Sequence, residues 1–233
     1  MPNEAASNLT FEFDALRQAR NYRAALSREF KPYLHGRVIE VGAGVGHFTE
    51  VLQQLASIED LIAVEPEPSF CDRLRRSFSR PTVLCETAAA LKTEADAIIC
   101  INVLEHIQKD EEELRIYHDL LLARHGHLCL FVPARPEIYA PLDRDFGHHR
   151  RYTRKELRRK LSQNGFAITS LRYFNAIGYA AWWFSFCILK QRGFNERAVK
   201  LFDRLIFPPV YWWESRVMAP PIGQSLIAVA QAS

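Results

Sequence analysis

The sequence has little of what marks a chain held together covalently or built as a fibre. Its five cysteines are odd in number and none forms a Cys-x-x-Cys pair. Neither a disulfide frame nor a metal knot is therefore expected. Cys71, Cys85, Cys100, Cys129 and Cys187 read instead as small buried hydrophobes of a chain kept in a reducing, cytoplasmic compartment. Ten glycines and twelve prolines among 233 residues exclude a collagen-like or low-complexity chain. The longest apolar run, Ala176–Leu189, has 14 residues, too few for an ordinary spanning helix. The opening MPNEAASNLTFEFD carries acids and no apolar centre, so no secretory leader is expected. Neither sign of charge prevails: 30 Lys and Arg against 27 Asp and Glu leave +3, which by itself points to no nucleic-acid partner.

What the sequence does have is a series of short apolar runs separated by helix-like stretches. Arg37–Gly42, Asp60–Glu65, Pro81–Glu86, Asp96–Ile101 and His127–Val132 are rich in Val, Ile and Leu with little alternation. Strands covered on both faces of a parallel sheet read this way. His47–Ala56, Ser69–Phe78 and Asp110–Ala123 are the helices between them, the last with acids in its first turn. Thr153 with Glu156 three residues on opens a further helix that Gly165 closes. Phe166–Phe174 and Ser225–Ala230 complete the strands. The spacing predicts an α/β, doubly wound sheet. About 50 residues rich in Trp, Phe and Pro separate the last two strands. That is too long for a simple connection and reads as an inserted helical cap. The chain is taken as a single domain, with an N-terminal helical segment over 1–35, a core over 36–174, the cap over 175–223 and a last strand over 224–230.

The sharpest local signal is VIEVGAGVG, where a buried strand runs into Gly42, Gly44 and Gly46. Glycines at such a turn permit unusual backbone angles and let a ligand approach the main chain. A dinucleotide fingerprint starting at Gly42 requires glycine at position 47, which is His47. Glu40 stands on the strand two residues before the first glycine, where a carboxylate suits a cation better than a pyrophosphate. Glu65 ends the second strand, about 20 residues on, where a carboxylate can take both hydroxyls of a ribose. A cationic ligand with a ribose points to S-adenosylmethionine. A nicotinamide dinucleotide, or a plain glycine turn with incidental acids, are the competing readings.

From about Tyr22 to Ala230 the sequence resembles the class I S-adenosylmethionine-dependent methyltransferases. VIEVGAGVGHFT is similar to that family's first motif, VEPEP to its second and CINVLEHI to its fourth-strand motif, with CETAAAL where the family meets the adenine. The resemblance implies a Rossmann-like, mostly parallel seven-stranded sheet with an antiparallel last strand. It also implies that Glu40 and the Gly42, Ala43 and Gly44 backbone hold the methionine portion of the cofactor. Glu65 and Pro66 would lie at the ribose, Glu86 and Thr87 at the adenine, and Asn102 and Val103 at the pocket wall. Tyr22 would help cover the cofactor or simply pack a helix, and Glu105 and His106 would start and pack the helix that follows.

DRDFGHHRRYTRKEL, after the fifth strand, resembles a stretch in a subgroup of the same family. Its long proline-punctuated loop falls at the sheet edge where function concentrates. If the acceptor is a hydroxyl or a protonated amine, a base must take its proton. His148 is the first candidate because imidazole exchanges protons near neutral pH, and Asp143 would orient it or serve instead. The competing reading is that His148 only holds the loop. His149 reads as exposed and no third ligand has metal-like spacing, so no metal is expected. Eight Lys and Arg against two acids lie between Arg144 and Lys160. Arg150 or Arg151 would grip an acidic acceptor, with Tyr152 beside it, or else this is a solvated helix face. Trp182, Trp183 and Phe186 would wall an apolar pocket, and Lys190 and Arg192 would permit shallow membrane-surface contact. The expected reaction is methyl transfer to O or N of a small apolar or acidic molecule, releasing S-adenosylhomocysteine. C-methylation of a prenyl, lipid-like or aromatic acceptor, or a non-catalytic cofactor-binding protein, are the alternatives.

Overall fold

The apolar runs become seven strands of one sheet. In the computed structural model, which describes residues 19–233, these are β1 (Gly36–Val41), β2 (Ile58–Val64), β3 (Thr82–Leu84), β4 (Ala97–Ile101), β5 (His127–Pro133), β6 (Phe166–Phe174) and β7 (Ser225–Ala232). Their spatial order is β3-β2-β1-β4-β5-β7-β6. The pairs β1–β2, β1–β4, β2–β3 and β4–β5 are parallel, whereas β7 runs antiparallel between β5 and β6. The doubly wound, mostly parallel sheet expected from the run pattern is therefore present. The near-continuous apolar runs have the expected cause, since alternate residues of one strand serve two cores. Ile39, Ile98, Cys100, Leu128 and Leu130 face one layer, with Leu114, Tyr117 and Leu121 of α4 (Asp110–Leu122) and Leu157 and Leu161 of α6 (Arg154–Gln163). Val38, Ile99, Cys129, Phe131 and Val229 face the other, with Leu26 and Phe30 of α1 (Arg20–Phe30) and Phe207.

Three local expectations change. The helix placed over His47–Ala56 is regular only as α2 (Thr49–Leu52). Gly46 has φ +87° and a Cβ there would run into Phe78, so the chain is still turning where the helix was expected to begin. The third strand shrinks to Thr82–Leu84 at the sheet edge. Cys71, on α3 (Pro68–Ser77), and Cys85, just past β3, are joined by a disulfide with Cα atoms 5.8 Å apart. This corrects the expectation of five free thiols. The 14-residue separation carries no pairing signal, and only the packing of α3 beside β3 brings the two together.

The remaining helices build the rim. Thr153 caps α6, its hydroxyl accepting from Glu156 N at 3.1 Å. The short α5 (Pro141–Asp145) lies in the loop after β5. After β6, α7 (Ala176–Trp182) continues as a π-type turn over Trp183–Ile188. Next, α8 (Glu196–Leu201) continues as a second π-type turn over Phe202–Ile206 and leads into α9 (Phe207–Arg216). Both buried acids of this cap satisfy helix starts. Asp203 accepts from Asn21 N and Tyr22 N at 3.0 and 2.9 Å, supplying the cap that Ala19 cannot. Glu214 accepts from Asn175 N and Ala176 N at 2.9 and 2.7 Å. The N-terminal segment is thereby tied to the cap. Its first 18 residues, part of the helical segment expected over 1–35, lie outside the described residues.

Candidate active site

The strand order reverses between β1 and β4, and open α/β sheets bind ligands at the carboxyl ends flanking such a point. Gly42 follows β1 with φ +69°, and a Cβ there would run into Val103 Cγ2. Only glycine lets the two strand ends approach so closely. Glu65 closes the turn: it accepts from Gly44 N at 2.8 Å and from Glu67 N at 3.0 Å. Burial raises its pKa, against those two hydrogen bonds. Glu40 is buried beneath the loop and accepts from Thr49 Oγ1 at 2.6 Å. Burial pushes Glu40 up to about 8, with the nearby Glu65 charge adding to the effect. Pro66 and Thr87 are exposed, Glu86 and Val103 half-buried and Ala43 buried around the same turn. Asn102, at the end of β4, has φ +51° and donates its N–H to Phe131 O at 2.9 Å.

Beside this groove lies a cavity of about 310 Å³ that Tyr22, Asn102, Phe131, His148, Trp182 and Phe186 help to line. Its wall on the loop side is built by the segment after β5. Tyr152 N returns to Pro133 O and Arg135 N to Tyr152 O, both at 2.9 Å, closing the loop on the strand end. Within it His148 is held on every side. Its N–H donates to Asp143 O at 2.9 Å, its carbonyl accepts from Tyr139 Oη at 2.7 Å, and His149 N donates to Glu105 O at 2.9 Å.

Asp143 is fully buried and its carboxylate is saturated. One oxygen accepts from Ala140 N at 2.8 Å, the other from Arg151 Nε at 2.9 Å and His148 Nδ1 at 3.0 Å. Burial alone would raise its pKa, but the His148 hydrogen bond and the Arg151 charge outweigh that and hold it below the ordinary carboxylate range. An ionised Asp143 only accepts, so the imidazole proton sits on Nδ1. That leaves the Nε2 lone pair bare. Nε2 is buried with no hydrogen-bond partner, on a ring that lines the cavity. Glu105 Oε1 lies 3.9 Å from it, and the His106 ring stands edge-on to His148 at 4.6 Å. Burial, and then the nearby His148 and His149, lower His106 to about 4, keeping it neutral.

The protein-family model described as "Methyltransferase domain" matches residues 13–171, more than two thirds of the chain. The chain belongs to the class I S-adenosylmethionine-dependent methyltransferases. No curated protein matches it in sequence. Solved structures share the fold at low identity. The mycolic acid cyclopropane synthase CmaA1, complexed with SAH and CTAB, is 16% identical over 89% of this chain and 83% of that one, with a TM-score of 0.59. The cyclopropane synthase MmaA2 from Mycobacterium tuberculosis is 13% identical over 90% and 83%, with a TM-score of 0.58. The Burkholderia thailandensis 1,6-didemethyltoxoflavin-N1-methyltransferase, with 1,6-didemethyltoxoflavin and S-adenosylhomocysteine bound, is 17% identical over 93% and 78%, with a TM-score of 0.55. S-adenosylmethionine is the cofactor, and the methyltransferase fits it. Two buried carboxylates, Glu40 and Glu65, at the glycine turn suit a cationic nucleoside better than a pyrophosphate.

Of the expected acceptor-side residues of the methyltransferase, Arg151 and Trp182 line the cavity, whereas Tyr152 and Trp183 do not. Arg151 lies on Asp143 at 2.9 Å through both Nε and Nη2, and 4.3 Å from the Trp182 ring, so its charge is already matched. Arg150 is paired with Asp110 at 2.7 Å. Tyr152 is wholly buried away from the cavity, donating to Asp110 Oδ2 at 2.8 Å. Trp182 is buried with Nε1 on Ile138 O at 3.1 Å, while its neighbour Trp183 is about half exposed, because consecutive helical residues diverge by about 100°. Tyr22 packs edge-on to Phe131 and Phe174 and also lines the cavity. The view that His148 has no further metal-type neighbours is also corrected. Glu105, His106 and His148 each offer an atom, all within 4.8 Å of one another. The sequence reading gave Glu105 and His106 only the role of starting and packing the next helix. Their one signal was position, since they follow β4 at the edge where the loop after β5 also ends.

Proposed function

We propose that this methyltransferase transfers the cofactor's methyl group to a hydroxyl or amine of a small, largely apolar acceptor, with His148 as the general base. The observation that carries the reading is the bare, buried Nε2 of His148, on a ring that lines the cavity and is oriented by Asp143 through Nδ1. The bound cofactor supplies an electrophilic methyl group on a sulfonium, so the protein's task is to align the acceptor, exclude water and remove one proton. Phe131, Trp182 and Phe186 exclude water and favour an apolar body. Nε2 takes the acceptor proton, and the imidazolium so formed lies between ionised Asp143 and, at 3.9 Å, Glu105. Arg151 keeps Asp143 ionised, which favours an apolar over an acidic acceptor. The cap's basic and apolar exterior extends the reading to shallow contact with a membrane surface.

On the cofactor side, Glu40, Glu65 and the Gly42–Gly44 backbone hold the methionine and ribose portions, with Glu86 and Thr87 at the adenine. Glu40 carries a pH signature. Because it titrates at about 8, it is protonated at neutral pH until a cation arrives beside it. Cofactor binding at pH 7 is expected to release close to one proton, and affinity to rise with pH until about 8 and then level off. In the free protein the sign is opposite. The folded pKa lies above the ordinary 4.5, so this group's contribution to stability is full below 4.5 and is lost as pH climbs through 8. Calorimetry in buffers of different ionisation enthalpy measures the proton. Glu40→Gln is expected to abolish the release, and an unchanged release would remove Glu40 from the site.

The reaction itself is tested with methyl-labelled cofactor and a panel of apolar alcohols and amines, with and without a chelator. Label transfer that ignores the chelator is the expected result. Transfer that stops with the chelator and returns with a divalent cation would make Nε2 a metal ligand, together with Glu105 and His106, and overturn the base.

A further inference from the structure

An amphipathic helix buries one face and wets the other, but the cap helices are apolar on both. Their inner faces, with Trp182, Phe186 and Phe202, line the cavity. Their outer faces are open. Among the described residues, 13 of the 14 large hydrophobics that are exposed fall within 175–223, the other being Leu122. Trp183, Phe184, Ile188 and Leu189 project from the first cap helix and its π-type turn, and Leu201 and Leu205 from the second. Trp212, Trp213, Val217 and Met218 follow around α9, Met218 being 61% exposed. Such a concentration on one element exceeds the scattered apolar exposure of an ordinary surface.

The charges around this face have one sign. The exposed ionisable groups of the cap are Lys190, Arg192, Arg197, Lys200, Arg204 and Arg216 against Glu196 alone. Arg192 is matched by Asp145, outside the cap. The cap's other two acids, Asp203 and Glu214, are buried on helix starts, so they do not temper the exterior. Among the described residues no helix is long and apolar enough to cross a membrane. Tryptophans beside Lys and Arg on short apolar helices suit the headgroup boundary of a bilayer, and the basic groups suit anionic lipid.

We infer that the outer face of the cap docks on an anionic lipid bilayer. This rests on the reading of the adjoining cavity as the acceptor site only for its consequence, which is that an apolar acceptor reaches His148 from the lipid phase between helices that are apolar on both sides. The docking itself needs no acceptor to be observed. A second copy of the chain would cover the apolar area but not match the basic rim, since both partners would bring the same charge.

The test is sedimentation of the full chain with vesicles of phosphatidylcholine alone and of phosphatidylcholine with phosphatidylglycerol. Binding to the second kind only, with a blue shift of tryptophan emission, is expected. Lys200→Glu with Arg204→Glu is expected to weaken it at least about tenfold, each basic group contributing separately. Leu205→Ser with Met218→Ser tests the apolar part and is expected to weaken binding to the same vesicles. Both pairs are exposed, and unchanged S-adenosylhomocysteine binding checks that each variant is folded. Absence of vesicle binding by the folded wild-type chain, or equal binding to both vesicles, would overturn the inference. So would a stable dimer that the same substitutions dissociate without affecting lipid. Failure here leaves the His148 proposal standing, and failure of methyl transfer leaves vesicle binding as measured.

Discussion

His148→Ala is expected to lower kcat by about 10²–10⁴-fold while leaving cofactor affinity unchanged. The size follows from what is lost. Nδ1 is committed to Asp143 and Nε2 is bare on a ring that lines the cavity, and no other described residue of that lining is a histidine or a carboxylate. Glu105 is 3.9 Å from Nε2, wholly buried and not part of the cavity lining, so it stabilises the imidazolium rather than meeting the acceptor. The variant is expected to fold, because Asp143 keeps Arg151 and Ala140 N as partners. Asp143 is a poorer first probe. Removing it strands the buried Arg151 guanidinium, at a cost of about 3–5 kcal/mol in stability. Single-turnover kinetics across pH separate the roles. A rate that falls with the pH dependence of the base removed supports proton transfer. An unchanged rate would make His148 a brace for the loop between β5 and α6.

The second large effect is expected at Glu65. Glu65→Ala removes the acceptor of Gly44 N and of Glu67 N, leaving the glycine turn without its tie to the end of β2. Cofactor affinity is expected to fall about 10–100-fold, the equivalent of one or two charge-assisted hydrogen bonds, with about 1–3 kcal/mol lost in stability. Titration with S-adenosylmethionine, S-adenosylhomocysteine and NADH in parallel measures it, with the wild type binding the first two and not the third. A lowered melting temperature with affinity intact would reduce Glu65 to a brace of the turn. Glu65→Gln keeps one accepting oxygen and should fall between.

These two residues also show where reading the sequence succeeds. Glu65 was legible because its meaning is local: a strand, a glycine turn and an acid about 20 residues on specify one corner of a doubly wound sheet. His148 was legible as a residue type in a loop of the right place. Its partners were only half legible. Asp143 lies five residues away and is within reach of inspection, but Glu105 is 43 positions earlier, and β4 and β5 must pair before the two meet. Tyr152 lies away from the cavity for the same reason, while Arg151 lines it with its charge already matched. A charge and a hydroxyl in a polar cluster suggest an acceptor clamp, yet each is committed to a buried acid that the linear pattern does not mark as buried.

By itself the sequence determined the period of its apolar runs, and with it the sheet, the two flanking layers, the glycine turn and the class of cofactor. Those are consequences of neighbours along the chain, whose backbone geometry and side-chain alternation are local. Tertiary structure alone decided the Cys71–Cys85 bond, the tautomer of His148, the matching of Arg151 by Asp143 and which of two adjacent tryptophans faces the cavity. It also decided that the cap's acids are buried while its basic and apolar side chains face outward. Each of these depends on which distant groups share a low-dielectric site or a helix face, and packing chooses that after the local elements have formed.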